Sequence, residues 1–565
     1  QHLHPDERFV TMVTESMQWP KIIDQYLSSS VSTLNPHNLG YGFYVYGTWP
    51  LLVVKAIAGL AKADTYNGLP FIGRLVAGVL DIFILIFVIA GTYILSGQFG
   101  SKKRSIISLL AGLFYALLVL PIQLAHFYTV DQGLVVSTIG AIVLGLLWTQ
   151  KKESSAHIRP ICMGISFGLA VAAKIQGILL APLLGVFFLQ KLLQTRGKPS
   201  TWIMGAVCVL AALITIRVAY PTLFTGSEII PQGINEKVVD NWKQLKFEYS
   251  WDTYKNTTDI YFPPATMFLA TGTLRFPVEN LLLWGVGIFG SLLMIAGLFL
   301  YTIHIIRHQQ NRFLHTSLLL WLTGMFFYQS LEFAKYLRYF YILLPLATIL
   351  MFTGFSSVRK WNRIAKTLLI LCFIFHFLWA YAFSRIYAQT NPRIEASHWM
   401  NAAIPQGTIT TTEHWDDGLP LCLPDYPCGR FIQLELPLYN SDTEEKWNTI
   451  DAKLASAQYI VLSSNRLYGS IPAVSDRYPR TTQYYKKLFD GSLGFTKIKE
   501  FTARPNIPIP FVHVCITPPF VWYGALARPS QECPLEGISF VDDYADESFT
   551  VYDHPKVIIF QKTNQ

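Results

Sequence analysis

The chain has 565 residues, 52% of them apolar, 14% aromatic and only 14% charged, where an ordinary soluble domain has roughly a quarter charged. These proportions exclude a soluble multi-domain enzyme, and a disordered chain would lack the 38 Phe, 29 Tyr and 14 Trp. The net charge of +9 is unevenly placed: residues 1–384 hold 29 basic and 16 acidic side chains, while residues 385–565 hold 16 and 20. The basic excess therefore belongs to the apolar part of the chain and does not indicate nucleic acid.

In chain order, apolar stretches lie near 72–96, 105–125, 132–149, 160–190, 201–220, 281–306, 314–331, 339–355 and 365–384. Most are long enough to cross a hydrocarbon core of ~30 Å, which takes about 20 helical residues. Basic clusters at Lys102-Lys103-Arg104, Lys151-Lys152 with Arg159, Lys191/Arg196/Lys198, Arg307/Arg312 and Arg359/Lys360/Arg363 are assigned to the cytoplasm by the positive-inside rule. An odd number of crossings must then separate residue 1 from residue 102, which selects 72–96 as a span. The stretch 43–61, with Pro50, Lys55 and many aromatics, reads as an interfacial helix on the outer surface.

The segment 160–190 must enter and return, yet its helix would measure only ~46 Å, short of two crossings. It predicts two short helices meeting at Ala172-Ala173-Lys174. The expected fold class is a polytopic α-helical membrane protein with a C-terminal extracytoplasmic α/β domain. Its parts are a first outer loop with interfacial helices (1–71), a membrane domain of about ten helices (72–384) with a large outer loop (221–280), and a soluble domain (385–565). An additional membrane helix is expected before residue 1. The C-terminal part has strand-like runs at Tyr459–Ser464 and Lys556–Phe560. Cys422, Cys428, Cys515 and Cys533 lie there, enough for two disulfides of open pairing.

With this topology, Asp6, Glu7, Arg74, His126, Asp131, Lys174, Arg217, Arg275, Glu332, Lys335 and Arg338 all fall at or near the outer face. Charges at a membrane edge are costly and line polar cavities or pair with one another. Acids and bases gathered on one side describe a site, whereas a transporter places them near the midplane within repeats; no internal repeat is found. A carboxylate there can take a proton from a hydroxyl, and nearby cations can hold a lipid phosphate. Each residue also has a plainer role: Asp131 as a helix cap, Lys335, Arg338, Arg217 and Arg275 snorkelling to headgroups, and Asp81 in an ion pair with Arg74 or another helix.

The run His4-Pro5-Asp6-Glu7-Arg8-Phe9 resembles the acidic motif after the first membrane helix of polytopic GT-C glycosyltransferases that use polyprenyl-phosphate sugars, the protein O-mannosyltransferase and aminoarabinose transferase relatives (glycosyltransferase family 39-like). Gly73-Arg74-Leu75 with Asp81, His126-Phe127-Tyr128-Thr129-Val130-Asp131, Gly168 to Lys174, Asn280 with Trp284-Gly285-Val286-Gly287, and Lys335-Tyr336-Leu337-Arg338-Tyr339 resemble later segments in the same order. The spacing after Asp6-Glu7 is one residue shorter than in aminoarabinose transferases.

The resemblance implies an inverting membrane glycosyltransferase with a polyprenyl-phosphate sugar donor and an extracytoplasmic site. It makes Asp6 the base, supported by Glu7, with Asp131 facing the same cavity, and gives the carrier phosphate to Lys174, Lys335 and Arg338, with Arg74. His126, Arg275 and Glu332 are expected as substrate contacts. So are Glu413, Asp416 and Asp417, on a loop at a strand end where open α/β folds bind ligands. The acceptor, whether protein, lipid or glycan, stays open. No cofactor is required; no metal motif is present, although Asp6, Glu7 and Asp131 could share a divalent cation. The expected location is a multi-pass membrane protein, in the plasma membrane if the source is prokaryotic. The rival reading is a transporter or flippase of lipid-linked sugars with an external binding domain.

Overall fold

The computed structural model describes residues 4–97, 100–150, 158–258, 260–307, 311–358 and 360–563. Lys151, Lys152 and Arg359, which entered the topology argument, lie outside the described residues. Seven helices are long and apolar enough to cross a membrane among the described residues: Gly68–Leu95, Asp131–Trp148, Ile175–Gln194, Pro199–Ala219, Ile288–Arg307, Leu337–Ser356 and Arg363–Ala403. An eighth is counted if Ser101–Ala116 and Val119–Ala125, bent by 61°, form one broken span. Trp49–Leu60 and Ile158–Ala173 are shorter apolar helices. The chain is thus a polytopic helical membrane protein with a sheet-containing C-terminal part.

Two compact units divide the chain, each discontinuous in sequence. The first comprises Gln1–Lys246, Val286–Gln329 and Arg338–His376, and the second Phe247–Gly285, Ser330–Leu337 and Phe377–Gln565.

In the first unit, Pro5, Pro50, Pro182, Pro199 and Pro345 stand in the first turns of their helices, where a missing N–H costs nothing. The helix Gly68–Leu95 exposes Phe71, Leu75, Val79, Ile82 and Ile86, spaced three or four apart, and buries Ile72, Ile84 and Val88. That is one lipid-type face and one packing face. Asp131–Trp148 and Leu344–Ser356 are buried on nearly all sides, as expected of the centre of a bundle. The helix Ile158–Ala173 ends where expected, and Lys174 is extended (φ −157°, ψ 134°) before the chain continues as Ile175–Leu180. Gly47 buttresses this break: its N–H donates to the Ala173 carbonyl at 3.0 Å. A Cβ on Gly47 would stand 1.8 Å from the Ala172 carbonyl oxygen.

The second unit holds a five-stranded mixed sheet built from β1 (Ile409–Glu413), β2 (Ile432–Leu436), β3 (Tyr459–Leu462), β4 (Phe495–Phe501) and, after three short strands, β8 (Val557–Lys562), in the order β2-β1-β3-β8-β4. β1 runs parallel to β2 and β3, while β8 is antiparallel to β3 and β4. The two-residue period of a strand sorts the core. Ile460, Leu462, Ile558 and Phe560 pack on one face with Trp447, Tyr485 and Leu488. Val461, Val557 and Ile559 pack on the other with Ala396, Met400 and Phe501. The short strands β5 (Asn506–Ile507), β6 (His513–Ile516) and β7 (Gly537–Phe540) form a separate sheet in the order β5-β7-β6. The disulfides are Cys422–Cys428 and Cys515–Cys533, settling the open pairing.

Candidate functional site

The first unit gathers the acids and cations singled out by sequence into one chain of contacts. It begins at the helix Pro5–Ser16, whose N-cap is a histidine: His4 Nδ1 accepts from the N–H groups of Asp6 (3.1 Å) and Glu7 (3.4 Å). His4 is buried and its ring centroid lies 4.6 Å from that of Phe127. Asp6 and Glu7 therefore stand in the first helical turn, where the helix dipole favours negative charge, and take separate partners.

Glu7 is wholly buried and fully engaged. It accepts from Arg74 Nε (2.8 Å) and Nη2 (2.6 Å) and from the Tyr128 N–H (2.9 Å). Tyr128 reaches this position because residue 73 is glycine: a Cβ there would lie 2.2 Å from Tyr128 Cγ. The Tyr128 hydroxyl also shares a 2.8 Å hydrogen bond with Thr14. Glu7 and Arg74 thus lock the helix Pro5–Ser16 to the helix Gly68–Leu95 and to the loop before Asp131. Arg74, expected at the carrier phosphate, is held in a bidentate pair with this glutamate.

Asp6 faces the other way, with 28% of its side chain exposed, and is hydrogen-bonded to Arg338. Arg338 and Lys174 lie on one aromatic ring: the Tyr339 centroid is 5.5 Å from the Arg338 guanidinium carbon and 4.7 Å from Lys174 Nζ. Lys174 Nζ in turn donates to Asp131 at 3.4 Å. The sequence Asp6, Arg338, Tyr339, Lys174, Asp131 is a continuous run in which two cations share a ring and a carboxylate stands at each end. Asp131 opens its helix, so its first-turn position and its pairing with Lys174 coexist.

Asp81 does not pair with Arg74, which is occupied by Glu7. It accepts from the hydroxyls of Tyr115 (2.6 Å) and Tyr341 (2.8 Å). His126 is exposed and bonded through Nδ1 to the Ile122 carbonyl at 2.7 Å. Arg217 is buried and donates to the carbonyls of Leu27, Pro221, Gly226 and Glu228, which makes it a scaffold for the loop after its own helix. Among the described residues no group of three or more His, Cys, Asp or Glu could hold a metal ion.

No family model and no curated protein matches the chain. Solved structures similar to it include ArnT from Cupriavidus metallidurans bound to undecaprenyl phosphate (18% identity, TM-score 0.40, covering 68% of this chain and 62% of that one). A second is the Archaeoglobus fulgidus oligosaccharyltransferase tethered with an acceptor peptide (12%, TM-score 0.46, 85% and 67%). A third is the arabinofuranosyltransferase AftD from Mycobacteria (13%, TM-score 0.37, 99% and 41%). These neighbours are GT-C glycosyltransferases. The chain spans 62% of the length of ArnT. Likeness at this distance assigns no residue a role, which falls to the side chains themselves.

In the second unit Lys335 is wholly buried. Its ammonium donates to the carbonyls of Glu332 (3.3 Å) and Phe333 (2.9 Å) and lies 4.7 Å and 5.3 Å from the ring centroids of Trp251 and Phe268. Burial pushes its pKa down to about 8. Glu332 contributes its carbonyl to this lysine, and Arg275 pairs with Glu279 at 2.7 Å. The backbone N–H of Leu337 donates to Asp546 at 3.0 Å, which fixes the end of this short segment.

The acids at and just after the end of β1 are paired. Asp416 and Asp417 take the two arms of the buried Arg393 at 2.7 and 2.8 Å, and Asp416 also accepts from Ser464. Glu413 is buried against the Tyr485 hydroxyl at 2.5 Å, and burial pushes its pKa up to about 8. These carboxylates tie the helix Pro392–Ala403 and Tyr485 to the end of β1, so they hold the sheet together where an open ligand loop was expected.

His4, Tyr128, Tyr339 and Tyr341 were not singled out from sequence for these roles. For Tyr339 a signal existed, since it directly follows Arg338 in a run already recognised as a motif.

Proposed function

We propose that this chain is a membrane glycosyltransferase that moves a sugar from a polyprenyl-phosphate carrier to an acceptor hydroxyl on the extracytoplasmic side, with inversion. The observation that carries the reading is the run Asp6–Arg338–Tyr339–Lys174–Asp131, in which both cations are held by carboxylates. The non-bridging oxygens of a phosphate diester accept charge-assisted hydrogen bonds from guanidinium and ammonium groups, and Arg338 and Lys174 offer one of each. The diester's arrival at Arg338 and Lys174 releases Asp6.

The freed Asp6 carboxylate, the more exposed of the first-turn pair, then takes the proton of the acceptor hydroxyl. The acceptor oxygen bonds to the anomeric carbon as the bond from that carbon to the phosphate oxygen breaks, and the electron pair leaves with the polyprenyl phosphate. Arg338 and Lys174 stabilise that charge where it develops. Attack opposite the leaving phosphate inverts the anomeric centre. Glu7 and Arg74 hold the helix that carries Asp6. Lys335 suits an anion on its own chemistry, as a buried ammonium whose hydrogen bonds go to carbonyls.

The extracytoplasmic side is supported by the basic loops and by two disulfides in the second unit, which form in oxidising compartments. The test supplies the purified full gene product with a polyprenyl-phosphate sugar and extracted envelope acceptors, with detection of a new glycosidic bond by mass spectrometry. Product is expected, and Asp6→Asn is expected to abolish it. Normal turnover in that variant would remove Asp6 as the base, and movement of the lipid-linked sugar across a bilayer without any product would favour the flippase.

A further inference from the structure

From residue 505 to residue 527 the second unit contains no Asp, Glu, Lys or Arg, where an ordinary soluble domain has roughly one charged residue in four. The run is not hidden in a core. Phe511 is 94% exposed and Phe520 87%, and Ile509, Val514 and Ile516 are exposed with them. All five lie in or beside β6 (His513–Ile516), which is an edge strand of the sheet β5-β7-β6. Edges that face water are ordinarily blunted by charged side chains; here His513 is the one residue able to carry a positive charge.

One of these rings is displayed by an unusual turn. Ile509-Pro510-Phe511-Val512 is closed by the Val512 N–H, which donates to the Ile509 carbonyl at 3.3 Å, and Phe511 has φ +63°. A left-handed residue in the third position of a turn led by proline is normally glycine. The position holds a large aromatic side chain instead, at the tip and uncovered.

The packing against the last membrane helix, Arg363–Ser384, sets the depth of this surface. Its final turns belong to the second unit, with Phe377 and Tyr381 exposed on a lipid-type face. On the other side, the Phe383 ring lies 5.8 Å from that of His554, which is bonded to Asp542 at 2.8 Å, and the Trp379 ring stands edge-on to Phe540 at 5.5 Å. Going back along the chain from Asp542 to Phe540 therefore descends one helical turn, from Phe383 to Trp379, toward the bilayer. β7 continues from Phe540 to Gly537, a further rise of about 10 Å. Gly537 pairs with His513, so the start of β6 and the turn bearing Phe511 stand at the descending end.

We infer that the turn Ile509–Val512, β6 and Phe520 form a lipid-contacting surface, whose apolar side chains enter the interfacial layer of the bilayer beside the last membrane helix. The interface suits it better than the hydrocarbon centre, because an edge strand leaves main-chain groups that need water or headgroups. Elements of this kind bury their apolar side about 5–10 Å deep at the headgroup boundary. With no acidic side chain and no Lys or Arg in the run, the contact works by apolar burial and is indifferent to headgroup charge. It gives the second unit a hold on the bilayer besides its helix, whether or not the chain transfers sugar.

The test attaches a nitroxide to Ile509→Cys, to Phe520→Cys or to Lys487→Cys, an exposed position elsewhere in the same unit. The full chain is used in nanodiscs, with Cys162, Cys208 and Cys372 replaced by alanine. Collisions with oxygen, which concentrates in lipid, are compared with collisions with a water-soluble nickel chelate. At 509 and 520 oxygen is expected to exceed nickel several-fold and at 487 the order to reverse, equally in phosphatidylcholine and phosphatidylglycerol at pH 8. Phe511→Ser, at a position whose side chain packs against nothing, should move the 509 label toward the nickel pattern. The inference is overturned by nickel access at 509 and 520 equal to that at 487, by a lipid pattern confined to phosphatidylglycerol, or by a 509 label that ignores Phe511→Ser. Labels shielded from both reagents and broadened by one another would overturn it in favour of a second copy of the chain on this surface.

Discussion

Lys174 Nζ stands 4.7 Å from the centroid of the Tyr339 ring, and the guanidinium of the residue just before that tyrosine shares the same ring. Two cations are thereby kept near one another at a spacing set by an aromatic side chain, with repulsion relieved by Asp6 and Asp131.

Replacing Tyr339 by leucine removes that ring. Cation–π contacts are worth about 0.5–2 kcal/mol, so carrier-phosphate affinity should fall by roughly 2- to 30-fold. Tyr339→Phe, which keeps the ring, should stay near wild type. Titration with undecaprenyl phosphate, followed by native mass spectrometry, reads the difference; equal losses in both variants would assign the effect to the hydroxyl.

Asp6→Asn should separate binding from chemistry. Loss of a general base costs about a hundred- to ten-thousand-fold in rate, whereas freeing Arg338 from its carboxylate should tighten undecaprenyl phosphate binding. Slower transfer accompanied by weaker binding would contradict the displacement of Asp6 by the phosphate.

Glu7→Gln should act on stability. It replaces a buried carboxylate bound twice by Arg74 with a neutral amide, and hydrogen bonds to charged groups contribute about 1.5–3 kcal/mol. Arg74 keeps 41% of its side chain exposed and can turn to water, which places the expected loss toward the lower end. A lower apparent unfolding midpoint checks this, and an unchanged midpoint would show that the lock is not needed.

Two buried groups of the second unit lose stabilisation as pH rises, in different windows. Glu413, with a pKa raised to about 8, favours the protonated folded form, so its contribution is lost as pH rises from the ordinary glutamate range through about 8. Glu413→Gln should therefore stabilise the protein at pH 8 more than at pH 5. His554, between Asp542 at 2.8 Å and Asp553 at 2.5 Å, has its pKa raised to about 10 by these carboxylates against the effect of burial. Its contribution is complete below about pH 6.5 and is lost as pH rises through 10. His554→Gln should flatten the wild-type fall in unfolding midpoint between pH 7 and 10.5; a fall of the same size would dissociate it from this histidine.

The site was legible in sequence where a charge interrupts an apolar pattern. Lys174 could be read as a helix break because a lone ammonium between two hydrophobic runs has few alternatives, and the structure breaks there. The partners of the acids at the end of β1 are not legible in sequence, for the converse reason. Asp416 and Asp417 depend on Arg393, and Glu413 on Tyr485. Those partners lie 23, 24 and 72 residues away, beyond any local periodicity. Asp81 was expected to pair with a cation, whereas two tyrosines from other helices satisfy it.

The helix Gly68–Leu95 acts as a ruler. Arg74 and Asp81 are seven residues apart on it, a rise of about 10 Å. Arg74 holds Glu7, the neighbour of Asp6, and Asp81 holds Tyr341, which follows Arg338 by three residues in the 3₁₀ turn Leu337–Leu343 and so lies on the same side of it. Both halves of the Asp6–Arg338 pair are thus registered against one rigid rod, and a tilt of that rod carries them together. A substitution two helical turns inside the membrane can therefore shift the alignment of the proposed base and the proposed phosphate ligand without touching either.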